Sequence, residues 1–326
     1  MSYKTIDGLM RHLRSSNISI KGSKQKTQLV NVGYFHGYKG YRFFQVSTKR
    51  IPFSSFEEIY ATIQYDSRLK ALFYDKMMFI ETAMKNIALE SILQGANSES
   101  IPLVFEKVVC GYNNSPTAST EEEKKKCQQM KLNLQHTIQT NLARAYNDNN
   151  PKITHFYNNQ IYGEVPIWAL FEIMTMGDFG FLLSCLTFDQ RRAISQRLGL
   201  NTASDTNLEL IYKYIYSLKD LRNAIAHNAV VFDARFRKFD PTRAMKSCLI
   251  NEIRLAYVNF KTIGDYVILM CYYLKLLKVT KTELKAFVRE FERITAEYNK
   301  SVAPQVSAIV IRPDLTARMA TLKNYI

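Results

Sequence analysis

The stretch that organises this chain is Ser217–Phe232, which reads SLKDLRNAIAHNAVVF. It brings Arg222, Asn223 and His227 together in an otherwise apolar segment. From the turn before this stretch onward, apolar residues recur at steps of three or four or their multiples, which predicts an amphipathic helix with one face turned to a core or a partner. These residues are Ile211, Ile215, Leu218, Ile225 and Ala229. Arg222 falls on that apolar face. Because a cation there costs several kcal/mol unless it is paired, the position predicts an ion pair, a bound anion or a catalytic role.

Helix geometry limits how these three side chains can meet. Asn223 and His227 are four residues apart and share a face, so the amide can orient the imidazole. Arg222 lies roughly 140° round a straight helix from His227. The two converge if the helix frays or kinks at the histidine, or if a second copy of the helix faces the first across a two-fold axis. Such a cleft suits phosphodiester cleavage, since histidine moves protons near neutral pH and arginine holds a phosphate.

A purely structural interpretation of the same residues is also open. His227 then closes the C-terminus of the helix, where a cation is favoured. Arg222 then meets a carboxylate such as Glu81 or Asp220. An R-x4-H spacing alone does not decide between the two interpretations.

Charge favours a polyanionic partner. The 326 residues include 44 Lys and Arg against 29 Asp and Glu, a net charge of +15, which attracts polyanions by steering and counterion release. Charge alone does not distinguish RNA, DNA and membrane surfaces.

Composition also excludes several classes of protein. No apolar run approaches the roughly 18 residues of a membrane span, and the first residues lack the apolar core of a signal peptide, so we expect a cytoplasmic protein without a membrane partner. The five cysteines are scattered without a C-x-x-C pair, which is typical of reduced packing residues. Neither H-E-x-x-H nor a carboxylate cluster occurs, so we expect no metal site and no cofactor.

Three segments resemble known families. LRNAIAH, within the opening stretch, resembles the R-N-x-x-x-H signature of the HEPN superfamily of helical ribonucleases. VPIWALFEIMTMGDFGFLL, Val165–Leu183, resembles the W-x-L-x-E-x-M-T-x-G-x-x segment of the Abi-like (abortive infection) proteins of bacteria. Phe56–Asn86 resembles the F-x-x-I-Y-x-x-x-x-x-D-x-x-L segment of the same proteins and the I-E helix that follows it. Some HEPN toxins carry a tyrosine just after the histidine, but this chain has Ala229 and Val230 there.

The resemblance implies an all-α protein with a HEPN-type helical bundle core. We expect residues 1–50 to form a small N-terminal helical segment that packs on the core, residues 51–300 to form the HEPN-like domain, and residues 301–326 to form a weakly ordered C-terminal tail.

The resemblance also implies a metal-independent endoribonuclease that acts in anti-phage defence. His227 would be the general acid/base, Arg222 the phosphate clamp, and Asn223 the group that orients the histidine or the substrate. Glu81 would lie beside the motif helix and hold Arg222. The alternative for Glu81 is an ordinary surface ion pair with Lys85, four residues later.

Two basic segments are candidates for contacts with RNA phosphates. Arg191 and Arg192 belong to a basic helix predicted over Gln190–Leu200, for which a solvated face is the alternative. Arg235, Arg237 and Lys238 follow the motif helix, where substrate backbone would pass. The expected partners are RNA as substrate, a small structured RNA, and a second copy of the chain in a homodimer.

A rival function is a non-catalytic RNA-binding or protein-interaction module of a defence or toxin–antitoxin system. In that case the motif serves packing. A DNA-binding regulator that uses the N-terminal helices is a third hypothesis, and it depends only on basic charge.

An aromatic segment near the N-terminus has two interpretations. GYFHGYKGYRFF, Gly33–Phe44, has glycines that interrupt a helix, and it resembles the G-Y-x-x-x-x-G-Y segment of Abi-like proteins. It is either a basic and aromatic RNA platform or a hydrophobic plug in the N-terminal lobe, and the plug is favoured.

Turn and capping residues predict where the main helices begin. A long helix pair follows Ser54 and Ser55, and Pro166 opens a helix through Trp168 in which Gly177 and Gly180 allow a break or close packing. Ser119 or Thr120 caps the helix after the acidic run, and the motif helix starts at about Thr206.

Overall fold

The protein is all-α, as predicted. A computed structural model describes residues 4–114, 120–159, 164–203 and 205–326. These residues form helices, one π-helical segment and isolated bridges, with no strand among them. The predicted cap Ser119 lies outside the described residues. In chain order the elements are α1 Ile6–Ser15, α2 Gly22–Val32, the π-helical segment Gly33–Lys39, α3 Phe56–Ala96, α4 Ile101–Lys107, α5 Glu121–Asn147, α6 Pro151–Asn158, α7 Ile167–Ile173, α8 Met176–Cys185, α9 Phe188–Leu198, α10 Leu210–Ala226, α11 Arg243–Ile253, α12 Ile263–Leu276, α13 Lys281–Ser301, α14 Pro304–Val310 and α15 Leu315–Tyr325.

The helices belong to two compact units. The first comprises Met1–Met77, Asp220–Asp240 and Leu249–Ile326, and the second comprises Met78–Lys219 and Pro241–Cys248. Each unit is assembled from segments that are distant in the sequence. The division into residues 1–50, 51–300 and 301–326 stays a prediction.

Helix α3 is one continuous helix of 41 residues, where the sequence predicts a pair. Its chain has no glycine or proline between Phe56 and Gln94, so nothing interrupts the backbone hydrogen bonds. In the first unit, Phe73 on this helix packs on Phe287 and Phe291 of α13, with ring centroids 6.1 and 6.5 Å apart. The apolar face of the first half of α3 thus forms part of that unit's core.

The end of the chain is ordered, so the prediction of a weakly ordered tail is wrong. Val306 on α14 and Met319 and Leu322 on α15 are completely buried. Arg318 on α15 donates to Asp265 on α12 at 2.5 Å, in a pair that is almost fully removed from solvent. Three apolar anchors and one buried ion pair outweigh the helix-breaking prolines on which the prediction depended.

One predicted helix start in the second unit is confirmed, that of α5 after Thr120, whereas the helix through Trp168 breaks before Gly177 and Gly180, which both lie inside α8. That helix ends at Ile173, and Thr175 then caps α8 by accepting a hydrogen bond from the backbone of Asp178 at 3.2 Å. Thr120 caps α5, and the carboxylate of Glu123 accepts a hydrogen bond from the backbone N–H of Thr120, which completes a capping box. Both starts follow from side chains that satisfy the free N–H groups of the first helical turn.

Candidate nucleic-acid site at the end of helix α10

His227 lies just beyond the last residue of α10, at its C-cap. Asn228 has φ of 51°, a left-handed conformation that asparagine adopts more readily than most residues. The backbone N–H of Asn228 donates to Ile225 at 3.2 Å, and that of Ala229 donates to Ala224 at 2.8 Å. This pair of bonds is a Schellman motif, which closes the helix and turns the chain away from its axis.

The imidazole of His227 is exposed and makes no hydrogen bond to another described residue. Arg222 and Asn223 are half-buried, and Arg222 Nη1 donates to Asn223 Oδ1 at 3.4 Å. The side chain of Asn223 is therefore turned to Arg222. Of its two predicted roles, orientation of His227 is not what the structure shows, and orientation of a substrate stays a prediction.

The position of His227 after the helix also changes the geometry expected from the sequence. The separation of roughly 140° applies to residues on a regular helix, and α10 ends at Ala226. Of the two predicted ways for Arg222 and His227 to converge, departure from the helix at the histidine is therefore available within one chain.

A buried aspartate fixes the backbone that follows the motif. Asp66 on α3 is fully buried, and its Oδ1 accepts the backbone N–H groups of Val231 and Phe232, both at 2.7 Å. Its Oδ2 accepts the hydroxyl of Tyr41 at 2.7 Å. Burial, followed by the charge of Asp66, raises the pKa of Tyr41 well above its usual range, so the phenol keeps its proton. Asp66 is the aspartate of the Abi-like D-x-x-L segment, but the sequence pattern alone predicts no role for it.

Lys70 connects this aspartate to the loop after His227. It lies one turn beyond Asp66 on α3, and its Nζ is 2.8 Å from Asp66 Oδ2 and 2.8 Å from Asn228 Oδ1. Asn228 Nδ2 is in turn 3.3 Å from Nε2 of His36, an exposed residue of the π-helical segment. Sequence analysis missed Lys70, Asn228 and His36 as site residues. The available signal was the spacing of Asp66 and Lys70, which predicts a contact on one helix face.

The aromatic segment Gly33–Phe44 has features of both predicted roles, the hydrophobic plug and the RNA platform. Tyr34, Tyr38 and Tyr41 are buried, as the plug requires, but Phe35 is 74% exposed. Lys39 Nζ lies 4.7 Å from the centre of the Phe35 ring. The π-helical segment therefore packs through its tyrosines and presents Phe35, His36 and Lys39 to solvent.

Arg235 holds the loop after α10 against the N-terminal segment. Its Nε donates to both carboxylate oxygens of the fully buried Asp233, at 3.0 and 2.9 Å. Its two terminal nitrogens donate to the carbonyls of Gly40 and Phe43. All three guanidinium nitrogens are thus engaged inside the chain, and contact of Arg235 with RNA stays a prediction.

Lys238 is more accessible, because its side chain is exposed. Arg237 is half-buried and pairs with the exposed Asp240 at 2.5 Å. A pair with one exposed partner contributes little to stability. The contact of these two residues with RNA stays a prediction.

The family of the chain follows from comparison with known proteins. Residues 27–233 match the model of the family described as Abi-like protein. The chain belongs to the Abi-like protein family. The match runs from α2 to Asp233 and therefore includes the π-helical segment, α3 and the end of α10. Comparison with curated proteins and with solved structures gave no match.

In the second unit of this Abi-like protein, Glu81 pairs with Lys85 at 3.1 Å, and the two side chains are only 12% and 14% exposed. Lys85 also donates to the carbonyl of Met174 at 2.6 Å. The pair therefore exists as the spacing predicts, but it is not a surface pair. Glu81 and Arg222 belong to different units, and their contact stays a prediction.

The two arginines of α9 differ in exposure. Arg192 is exposed, lies 4.6 Å from the centre of the Phe188 ring and pairs with Asp189 at 3.4 Å. Arg191 is half-buried beside the ring of Tyr212, at 6.0 Å. Arg192 is thus the more accessible of the two, and RNA contact by either stays a prediction.

The described ranges contain neither a metal-ligand cluster nor a membrane-spanning helix. No group of three or more His, Cys, Asp or Glu side chains in them is arranged to hold a metal ion. None of the helices described is long and apolar enough to cross a membrane. The cysteines are unbridged, and burial raises the pKa of the Cys185 thiol to about 12.

Proposed function

We propose that this Abi-like protein is a HEPN-type endoribonuclease that cuts RNA in abortive infection, and that the reaction needs no metal. The observation that carries the proposal is the exposed imidazole of His227, which has no hydrogen-bond partner among the described residues and follows a half-buried Arg222. An accessible histidine that moves protons near neutral pH, together with a planar cation five residues earlier that binds phosphate in two-point contacts, supplies the groups that phosphodiester cleavage requires. Family membership supports the role in abortive infection.

The chemistry uses the 2′-hydroxyl of the RNA as nucleophile. His227 takes the proton of that hydroxyl as its oxygen bonds to phosphorus, or gives a proton to the 5′-oxygen as the P–O5′ bond breaks. Arg222 stabilises the charge that develops on the phosphate oxygens. Asn223 orients the substrate. The products are a 2′,3′-cyclic phosphate and a 5′-hydroxyl, and a second copy of the chain or another residue supplies the opposite proton transfer.

The RNA backbone passes the loop after α10, along Arg237 and Lys238. The exposed Arg192 of the second unit is a separate candidate for phosphate contact. The net charge of +15 favours binding by counterion release. RNA affinity therefore falls steeply as salt rises. A fluorescence anisotropy titration in low and moderate salt measures this, and an affinity that stays flat contradicts the proposed surface.

The decisive experiment compares cleavage by wild type and His227→Ala. We expect the cleavage rate of the variant to fall by about two to four orders of magnitude, the usual contribution of general acid/base catalysis. RNA binding should stay nearly unchanged. Arg222→Ala should weaken both rate and binding. His136→Ala, at an exposed histidine on α5, is the matched control.

Product ends and folding complete that experiment. Melting curves establish that the variants are folded, and mapping of the ends should find 2′,3′-cyclic phosphates. Chelator should leave the wild-type rate unchanged. Equal cleavage by wild type and His227→Ala contradicts the proposal. Tight RNA binding without cleavage by wild type favours the non-catalytic RNA-binding module instead.

We further propose that the protein is a homodimer and carries a small structured RNA. A two-fold axis near α10 brings a second arginine and histidine to the same cleft. Light scattering at micromolar concentration tests the dimer, and a monomer with full cleavage activity contradicts it. Sequencing the RNA retained by the purified protein tests the second partner.

A further inference from the structure

A continuous series of contacts runs from a buried carboxylate, through the residue that follows His227, to the exposed imidazole of His36. Asp66 is 2.8 Å from Lys70, Lys70 is 2.8 Å from Asn228, and Asn228 is 3.3 Å from His36. Asp66 is fully buried and the Lys70 side chain is 9% exposed, whereas His36 and Asn228 are exposed. The series therefore has a rigid end and an end that is accessible to a ligand.

The direction of each hydrogen bond in this series follows from chemistry. A lysine ammonium can only donate, so the atom of Asn228 that faces Lys70 is the carbonyl oxygen Oδ1. The amide nitrogen Nδ2 must then face His36. Because Nδ2 can only donate, Nε2 of His36 accepts, and in the neutral ring the proton is on Nδ1. No hydrogen bond to another described residue engages this Nδ1–H.

We propose that His36 is a phosphate-binding residue of the ribonuclease site, which donates its Nδ1–H to an oxygen of the RNA backbone next to the phosphate at which His227 assists cleavage. The inference rests on the proposed function. Asn228 directly follows His227 in the chain, so the residue that orients His36 is also the neighbour of the proposed acid/base. Asn228 occupies Nε2, so His36 holds the phosphate and does not transfer its proton. The exposed Lys39 on the same segment adds a cation for the same anion.

The first test measures the tautomer of His36 and does not depend on activity. Long-range 1H–15N correlation spectra of protein labelled with 15N-histidine separate Nδ1–H from Nε2–H rings, and His36→Asn identifies the signal. We expect Nδ1–H in wild type. Asn228→Asp has nearly the same shape but presents an acceptor to His36, so it should shift the proton to Nε2. The inference is overturned if the proton of His36 is on Nε2 in wild type, or if it stays on Nδ1 in Asn228→Asp.

The second test asks whether the ring contacts a phosphate backbone. The probe is a single-stranded DNA oligonucleotide, which has no 2′-hydroxyl and is not cut by the proposed route. Its addition should shift the Nδ1 resonance of His36, and the signal of His136 should not move. If wild type does not cleave RNA but this shift is seen, the proposed function fails and the binding site stands. No shift at saturation overturns the inference.

The third test compares two substitutions of His36 in RNA cleavage. Asparagine places an amide N–H near the position of Nδ1, and alanine places nothing there. His36→Ala should raise KM about tenfold with a smaller change in kcat, the usual effect of losing one hydrogen bond to a charged group. His36→Asn should recover most of that loss, and His136→Ala should match wild type. Equal damage by asparagine and alanine in folded protein, or no damage by either, overturns the inference.

Discussion

Two ion pairs on helix α3 share one spacing but lie in different units. Asp66 and Lys70 belong to the first unit, and Glu81 and Lys85 belong to the second. Each pair has the acid four residues before the lysine, with contacts of 2.8 and 3.1 Å. Their side chains are 14% exposed at most. Neither pair is the solvent-exposed kind that contributes little to stability.

The two pairs differ in what else they hold. Asp66 accepts two backbone N–H groups from the segment after His227, and Lys70 donates to Asn228. In the second unit it is the lysine that reaches backbone, since Lys85 donates to the carbonyl of Met174 where α7 ends. Each pair thus satisfies polar groups that a helix end or a turn leaves open. The i, i+4 spacing predicts the contact within each pair. The role of each pair is determined by the backbone N–H or C=O groups that lie opposite it and need a hydrogen-bond partner.

The largest expected effect is that of Asp66→Ala. It removes the acceptor for the N–H groups of Val231 and Phe232 and leaves Lys70 without its carboxylate, so the free energy of unfolding should fall by about 3–5 kcal/mol. Urea unfolding measures the loss. Hydrogen exchange at the amides of Val231 and Phe232 should accelerate more than exchange elsewhere in the first unit.

Asp66→Asn is the matched control for that substitution. It keeps an oxygen for the two backbone N–H groups but replaces Oδ2, which faces Lys70 and accepts the Tyr41 hydroxyl, by an amide nitrogen. Its cost should still be smaller than that of alanine. Equal losses for the two variants, with unchanged exchange at Val231, contradict the role assigned to Asp66.

A smaller effect is expected at the second pair. Lys85→Met keeps the length of the side chain but removes the donor to Glu81 and to Met174, and should cost about 2–3 kcal/mol because both sites are nearly buried. Lys85→Arg keeps the charge and is the control. If Lys85→Met is neutral in urea unfolding, the pair behaves as a surface pair and the comparison with Asp66 and Lys70 fails.

Local patterns in the sequence predicted the helices best where caps and apolar periodicity agree. Thr120 is an example, because its capping box lies entirely within four residues of sequence. The motif helix begins later than the predicted Thr206. Asp205 accepts the backbone N–H groups of Glu209 and Leu210, and Leu208 takes a positive φ of 53°, so the turn extends to Leu210. A capping residue that acts across such a turn does not lie at the fixed sequence spacing by which a helix start is predicted.

The candidate site was predicted only in part, for a related reason. Arg222 and His227 were found because the motif is contiguous. His36 and Lys70 join the site through Asn228, across 192 and 158 residues of sequence. Contacts of that range depend on the fold, and periodicity within one helix does not encode them.

The smallest expected effect concerns Glu58, a third carboxylate on α3, which holds backbone N–H groups as Asp66 does but without a lysine. Glu58 accepts from the backbone of Ser54 at 2.7 Å, where α3 begins, and from the backbone of Ala303 at 3.0 Å. Burial acts to raise the pKa of Glu58, but the hydrogen bonds from Ser54 and Ala303 outweigh it and hold the pKa below the ordinary value of 4.5.

A lowered pKa means that Glu58 stabilises the fold fully above pH 4.5 and loses that contribution as the pH falls through its folded-state pKa. Glu58→Gln should therefore cost about 1–2 kcal/mol at pH 7, and the difference from wild type should shrink as the pH falls below that value. Urea unfolding from pH 7 down to pH 3.5 measures this, with Glu57→Gln at the exposed neighbouring residue as control for the loss of one carboxylate. A difference that stays constant with pH means that Glu58 acts through its shape. Hydrogen bonds from backbone N–H groups would then not be enough to make a carboxylate on α3 stabilise the fold through its charge. In that case the stabilisation expected for Asp66 would depend on its ion pair with Lys70.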